Sequence, residues 1–133
     1  ANKLKTVEDL MIRGNKIPFI DENSTMKNAL KILSRKNLGV LIVRNEIKKT
    51  IGVITDGDLK RAIEKNNDIK DIKLKKIMTK NPISIDQNEL AVKALNLMTS
   101  KKKITSLCVY KNKKKNKTVG LIHIHNILNT NIN

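Results

Sequence analysis

The chain has 133 residues, with 28 Lys or Arg against 12 Asp or Glu, and its formal net charge at pH 7 is +16. Its 39% apolar and 30% charged residues exclude a collagen-like or compositionally disordered chain. The single Cys excludes an intramolecular disulfide or a cysteine-based zinc site. No apolar run approaches the ~20 residues that cross a bilayer, and the first residues lack a leader pattern, so we expect a cytoplasmic protein.

A chain this basic has three classes of potential partner: nucleic acid, anionic lipid and anionic small molecules. Only four basic residues are arginines: Arg13, Arg35, Arg44 and Arg61. The aromatic residues are Phe19 and Tyr110 alone. Because proteins read bases with arginine forks and aromatic stacking platforms, the composition disfavours nucleic acid. A solvated lysine surface is the simplest interpretation, and an anionic small ligand comes next.

The chain repeats itself once, at an offset of about 65 residues. Ile20–Asn23 matches Ile85–Asn88, and each segment follows one of the chain's two prolines. Apolar residues at helical spacing come next: Met26, Ala29, Leu30 and Leu33 in the first copy, and Ala91, Ala94, Leu95 and Met98 in the second. Each copy therefore contains an amphipathic helix with one buried stripe.

Two apolar runs and a short helix complete each copy. The runs predict strands over 38–43 and 50–54 in the first copy, and over 104–110 and 118–122 in the second. The turn over 111–117 carries five lysines, so we expect an exposed hairpin tip. The final helices are predicted over 56–65, with Leu59, Ala62 and Ile63 facing inward, and over 124–130, with Ile127 and Leu128 facing inward.

These elements predict an α+β fold with α/β-type packing, in which two β-α-β-β-α repeats pack with pseudo-twofold symmetry. We place the first domain at 7–65, a polar linker at 66–73 and the second domain at 74–132. The segment Asp71–Met78 is expected to form a helical lead-in to the second domain. Each repeat alone is marginally small for independent stability.

The strongest functional motif is Gly52-Val53-Ile54-Thr55-Asp56-Gly57-Asp58. A strand that turns directly into a helix N-terminus presents free backbone N–H groups, which favour phosphate. Thr55 can add a hydroxyl to that phosphate, and Asp58 can accept both hydroxyls of a ribose. The pattern Thr55-x-x-Asp58 is equally a capping box, so both roles stay open.

The second repeat departs from this motif, because His123 stands in the place of Thr55 and Asn126 in the place of Asp58. His123 and His125 share a face if the backbone is extended. Three roles are open: a metal pair, hydrogen bonding to an anionic ligand or a neighbouring domain, and helix capping. Two ligands make a weak metal site, so we predict no metal here.

Over about residues 7–132 the repeat resembles a tandem pair of cystathionine-β-synthase (CBS) domains, and residues 52–58 fit that family's Gly-hydrophobic-x-Thr/Ser-x-x-Asp ligand signature. The resemblance implies a nucleotide ligand, with no cofactor and no catalytic residue. The candidate ligand-binding residues are Gly52, Val53, Thr55, Asp56, Asp58, His123, His125 and Asn126.

The segments 10–18, 54–61 and 120–128 are together similar to the C-terminal region of bacterial D-arabinose-5-phosphate isomerases. That family joins a sugar-isomerase (SIS) domain to a CBS pair and interconverts D-ribulose 5-phosphate and D-arabinose 5-phosphate on the route to Kdo, a sugar of lipopolysaccharide or capsule. The resemblance implies that this chain begins in a linker near Lys3 and lacks the SIS domain. We then expect no catalytic activity of the chain by itself and isomerase activity of its parent protein, in which the pair senses a nucleotide or nucleotide sugar such as CMP-Kdo as part of a homo-oligomer.

Three other interpretations stay open. The first is a CBS pair fused to a sugar-phosphate nucleotidyltransferase, where a similar Thr-Asp-Gly-Asp turn occurs, although the segment His123–His125 argues against it. A lysine-rich nucleic-acid-binding module is the alternative of a different class. A free-standing enzyme has the least support, because we find no Ser/His/Asp set, nucleophile elbow or P-loop.

Overall fold

The computed structural model describes residues 4–100 and 104–130, and the chain divides into two compact units. The first-repeat unit is Pro18–Pro82, and the second-repeat unit is the chain up to Ile17 together with the chain from Ile83 onward. Lys3 and the predicted domain end at residue 132 lie outside the described residues. Within the described ranges, no helix is long and apolar enough to cross a membrane.

The regular elements are numbered in chain order. The helices are α1 (Val7–Leu10), α2 (Met26–Lys36), α3 (Asp56–Lys65), α4 (Leu74–Ile77), α5 (Ala91–Thr99) and α6 (Ile124–Leu128). The strands are β1 (Phe19–Asp21), β2 (Val40–Arg44), β3 (Thr50–Thr55), β4 (Thr79–Lys80), β5 (Ser84–Asp86), β6 (Ser106–Tyr110) and β7 (Gly120–His123). The predicted α+β class and the order β-α-β-β-α in each repeat are confirmed.

The first-repeat unit contains a four-stranded sheet in the order β1-β2-β3-β4. β1 runs parallel to β2, whereas β2 with β3 and β3 with β4 are antiparallel. Residues 40–43 of β2 are all buried, as their continuous apolar run predicts. Thr25 caps the start of α2, and Asn37 ends it in the left-handed conformation (φ 57°).

The second-repeat unit contains the sheet β5-β6-β7, with β5 parallel to β6 and β6 antiparallel to β7. Ile12 extends this sheet by pairing with Leu121 of β7 through N···O bonds of 2.7 and 3.0 Å. Ile12 thus pairs with the edge strand β7 as β4 pairs with β3 in the first-repeat unit, and we call these two the covering segments. In the sequence, Ile12 comes just before the first repeat although it pairs within the second-repeat unit, and β4 comes just before the second repeat although it pairs within the first-repeat unit.

Three side chains predicted to face inward are exposed instead. Leu30, Ile63 and Leu128 retain 44%, 52% and 49% of their accessible surface, respectively. The fully buried part of each stripe is therefore narrower than the apolar pattern indicates: it consists of Met26 and Ala29 on α2, with Ile32 and Leu33 partly buried against the same core, and of Leu59 and Ala62 on α3. Periodicity identifies the inward face of a helix but does not tell how much of that face a neighbour covers.

The lead-in helix α4 forms within the predicted segment but packs differently from the prediction. Leu74 is fully buried in the core of the first-repeat unit, among residues that include Leu41 and Ile54. Ile69, in the middle of the predicted polar linker, is buried in the same core. This part of the chain therefore completes the repeat that it follows.

Cys108 lies on β6 and is buried, as its position in an apolar run predicts. Burial raises the pKa of its thiol to about 12, although a hydrogen bond with Thr118 acts in the opposite direction. The fraction of Cys108 present as the thiolate, which nucleophilic or metal chemistry needs, is therefore negligible near neutral pH. The lysine-rich turn over 111–117 is exposed throughout.

Candidate functional site

The motif of the first repeat lies where β3 turns into α3, and Thr55 occupies the N-cap position of that helix. Its hydroxyl accepts a hydrogen bond from the backbone N–H of Asp58 at 3.2 Å. In return, the backbone N–H of Thr55 donates to Oδ2 of Asp58 at 3.0 Å. The predicted capping box is therefore present, and it fixes both side chains at the start of the helix.

Asp58 is the only buried charged residue in the described parts of the chain, with 7% of its surface exposed. Its Oδ2 accepts hydrogen bonds from the backbone N–H and, at 3.1 Å, from the hydroxyl of Thr55. Its Oδ1 accepts hydrogen bonds from Nη2 of Arg61 at 2.8 Å and from the hydroxyl of Thr79 at 3.0 Å. These four donors compensate the cost of burying the carboxylate.

The buried carboxylate lies at the wall of a surface cavity of about 570 Å³ in the first-repeat unit. The cavity combines basic, acidic and apolar side chains, and its lining consists of Asp58, Arg61, Ala62, Glu64, Lys65, Asn66, Ile72, Lys76 and Ile77. A volume of this size lies within the range typical of small-molecule sites. The three cations of the lining outnumber its two carboxylates by one, and this small excess of positive charge favours an anionic ligand.

The other predicted residues of the first repeat have distinct positions. Gly52 is buried on β3 and pairs with Lys80 of β4, and Val53 pairs with Thr79. Asp56 is exposed in the first turn of α3, and its backbone N–H donates to the carbonyl of Gly39 at 3.3 Å. Gly52, Val53 and Asp56 are all absent from the lining of the cavity that contains Asp58.

In the second repeat, His123 and Asn126 form a cap at the start of α6 like that of Thr55 and Asp58. The backbone N–H of His123 donates to Oδ1 of Asn126 at 2.7 Å, and Nδ1 of His123 accepts from the backbone N–H of His125 at 3.1 Å. The two imidazole rings stack with centroids 5.0 Å apart. Across the described residues, no group of three or more His, Cys, Asp and Glu side chains is arranged to hold a metal ion.

The cap of α6 depends on an unprotonated Nδ1 in His123. Burial, and secondarily the neighbouring His125, lowers the pKa of His123. The folded chain therefore binds fewer protons than the unfolded chain as the pH falls, and this contribution to stability is lost below about pH 6.5. Ser106 of β6 pairs with His123, and Asn126 faces its backbone; neither side chain titrates in this range.

We expect the free energy of unfolding of the wild-type chain to fall as the pH drops below about 6.5, because protonation of His123 removes the acceptor for the His125 N–H. His123→Asn retains a good N-cap side chain that does not titrate, so it should flatten this part of the profile. Urea titrations at a series of pH values measure the effect. In the control variant His125→Asn, the capping imidazole remains and the fall should persist. An unchanged profile for His123→Asn would contradict this assignment.

Sequence reasoning missed two residues of the site, Arg61 and Thr79. Arg61 follows Asp58 by three positions on a predicted helix, and this i,i+3 spacing is a signal that identifies a side-chain pair. Thr79 is 21 residues from Asp58 in the sequence and meets it only because β4 pairs with β3. No local pattern indicates that contact.

The CBS domain family model matches residues 7–65 and 69–132. The chain therefore belongs to the CBS domain family and carries two copies of the domain, which confirms the resemblance inferred from the repeat.

Among curated relatives, arabinose 5-phosphate isomerase KdsD of Salmonella typhimurium strain LT2 is 35% identical over 129 residues, which are 97% of this chain and 38% of that protein. KdsD of Escherichia coli strain K12 is 33% identical over the same shares of the two chains. The uncharacterized protein RP505 of Rickettsia prowazekii strain Madrid E is 35% identical over 97% of this chain and 39% of its own length. This chain thus spans about two-fifths of these relatives.

Solved structures share the fold. The CBS-domain containing protein ATU1752 from Agrobacterium tumefaciens has a TM-score of 0.84 at 20% identity, covering 97% of this chain and 95% of that one. The CBS domain pair of MJ0100 in complex with 5′-methylthioadenosine and S-adenosyl-L-methionine has a TM-score of 0.81 at 24% identity, covering 96% and 95%. CBSX2 in complex with AMP has a TM-score of 0.77 at 22% identity, covering 95% of each chain.

Proposed function

We propose that this chain is the ligand-sensing CBS pair of a D-arabinose-5-phosphate isomerase. In this proposal it binds a nucleotide or nucleotide sugar, CMP-Kdo being one candidate, and changes the activity of a linked SIS domain in the Kdo pathway. The KdsD relatives support the parent enzyme, because the match extends over nearly the whole of this chain. The chain itself then contributes binding, and the isomerase chemistry belongs to the linked domain.

The observation that carries this proposal is the buried carboxylate of Asp58 at the wall of a cavity with basic side chains. A carboxylate recognises the vicinal hydroxyls of a ribose by accepting hydrogen bonds, and cations attract a phosphate. The lining includes Arg61, Lys65 and Lys76, so the carboxylate and the cations that a nucleotide requires lie within one unit. Two structures with the same fold, CBSX2 and MJ0100, are complexes with adenosine derivatives.

A ligand of this kind controls a linked domain only if it binds two conformations of the protein with different affinities. We propose that the CBS pair and the SIS domain form such a coupled system within a homo-oligomer in the cytoplasm. The direct test uses the full-length parent protein, with its isomerase rate measured with and without each nucleotide. A rate that responds to none of them would contradict the regulatory role.

Binding itself is tested on this chain with AMP, CMP, ATP and CMP-Kdo by titration calorimetry. We expect Asp58→Asn to lower the affinity for the tightest-binding of these ligands at least tenfold, because hydrogen bonds to a charged acceptor contribute about 1.5–3 kcal/mol each. Asparagine already stands at the equivalent position 126, where its Oδ1 retains the cap contact. Far-UV circular dichroism checks that the variant folds.

The matched control is Asp71→Asn, which removes the same charge from an exposed position in the first-repeat unit. Its affinity should stay within about twofold of the wild type, since exposed charges at a distance are screened by salt. Equal losses in both variants would indicate a general charge effect instead of a site at Asp58. Failure of all four ligands to bind the wild-type chain would refute nucleotide sensing.

A further inference from the structure

The hydrogen-bonding capacity of Asp58 is already full. A carboxylate offers about four acceptor positions. Thr55 occupies two of them on Oδ2, through its backbone N–H and its hydroxyl, and Arg61 and Thr79 occupy two more on Oδ1. A ribose that binds this carboxylate must therefore displace donors that the protein itself supplies.

The donors differ in how readily they can leave. Those of Thr55 belong to the helix cap, so their removal would open the first turn of α3. Thr79 lies on β4, whose backbone pairing with β3 holds it beside Asp58. The side chain of Arg61, in contrast, is 67% exposed while its partner carboxylate is 6% exposed. Because the guanidinium is largely in water already, its release breaks no helix cap and no strand pairing, so this donor is the easiest to exchange.

We propose that Arg61 is an exchangeable cover of the ribose-binding carboxylate, and this inference rests on the proposed nucleotide function. In the free protein its guanidinium occupies Oδ1 of Asp58. A ligand with a vicinal diol displaces the guanidinium and takes its acceptor position. The freed guanidinium remains at the wall of the same cavity, where it binds the phosphate of a nucleotide.

This exchange gives Arg61 opposite effects on two related ligands. A nucleoside has the diol but no phosphate, so it must displace Arg61 without gaining a contact in return. A nucleoside monophosphate recovers the lost ion pair through its phosphate. Arg61 therefore selects for phosphorylated ligands. It lowers the affinity for a ligand that carries the diol alone and raises the affinity for one that also carries a phosphate.

The test compares adenosine and AMP binding to Arg61→Met by calorimetry. Methionine keeps helix propensity and an unbranched side chain but removes the guanidinium. We expect adenosine to bind about three- to fivefold more tightly, the range of a weak ion pair. AMP should bind about tenfold more weakly, since a charge-assisted contact to its phosphate is lost.

The control is Lys60→Met, which removes one positive charge from the neighbouring exposed position and leaves both affinities within about twofold. An unchanged affinity of Arg61→Met for both ligands would overturn the inference and leave Arg61 as a surface ion pair. Weaker binding of both ligands would also overturn it, because Arg61 would then contact the nucleoside directly. The comparison of Arg61→Met with the wild type is made once AMP is shown to bind the wild type and to lose affinity in Asp58→Asn. If AMP does not bind the wild type, both the proposed function and this inference are refuted.

Discussion

Leu74→Ala is expected to reduce the free energy of unfolding by about 2–5 kcal/mol. Leu74 is fully buried in the core of the first-repeat unit, which also contains Leu41 and Leu59. Its helix α4 has only four residues, too few to be stable without tertiary packing. Truncation therefore leaves a cavity in the core and removes the anchor of the segment that leads to β4. Urea denaturation of the wild type and the variant measures the difference.

Ile63→Ala is the matched control, because it also shortens a helical aliphatic side chain of the same unit but at a position that is 52% exposed. We expect a change of about 0.5 kcal/mol or less, as for most surface substitutions. If both variants lost similar stability, Leu74 would not be the anchor of α4. A loss at Ile63 alone would indicate that its exposed face is covered in the folded protein.

Gly52→Ala is expected to destabilise the chain by about 3 kcal/mol, at the upper end of the range for overpacking. A Cβ atom at Gly52 would lie 2.8 Å from the backbone carbonyl oxygen of Thr79 and 2.8 Å from Sδ of Met78. A methionine end can move away, but a backbone oxygen paired in a sheet cannot do so without loss of strand pairing. The β4 segment, and with it the contact of Thr79 to Asp58, should therefore loosen.

The control for this substitution is Gly57→Ala, in the same motif. A Cβ atom there would lie 3.3 Å from Nη1 of Arg61, the mobile end of a long side chain, and its helical position favours alanine by roughly 0.5–1 kcal/mol. We therefore expect thermal and urea unfolding to show a neutral or stabilising effect at Gly57 and a loss at Gly52. The same sign at both positions would contradict the close-approach argument.

The motif glycine of the second repeat has the same environment. A Cβ atom at Gly120 would lie 3.0 Å from the carbonyl oxygen of Ile12 and would overlap Sδ of Met11. In both units, the glycine allows a covering segment to pass closely over the strand that ends at the helix cap. The glycine of the signature thus has a packing reason that is independent of any ligand.

Much of the local structure follows from short-range patterns. Helix α3 has the bounds predicted for it, and its capping box joins residues only three positions apart. The repeat order and the burial of β2 follow from apolar periodicity in the same way. Such features depend on neighbours within one or two turns of the chain, so they can be inferred without knowledge of tertiary contacts.

The sequence by itself determined the two-copy organisation, the α+β class, the CBS family and the place of the motif at a strand-to-helix turn. The net charge of +16 is carried mostly by lysines, and composition alone does not assign it a partner. Only the tertiary structure decided that Leu74 packs into the preceding repeat and that the hydroxyl of Thr79 donates to Asp58. The physical reason is that burial and hydrogen-bond saturation depend on which distant segments meet, and strand pairing across 20 or more residues leaves no local pattern.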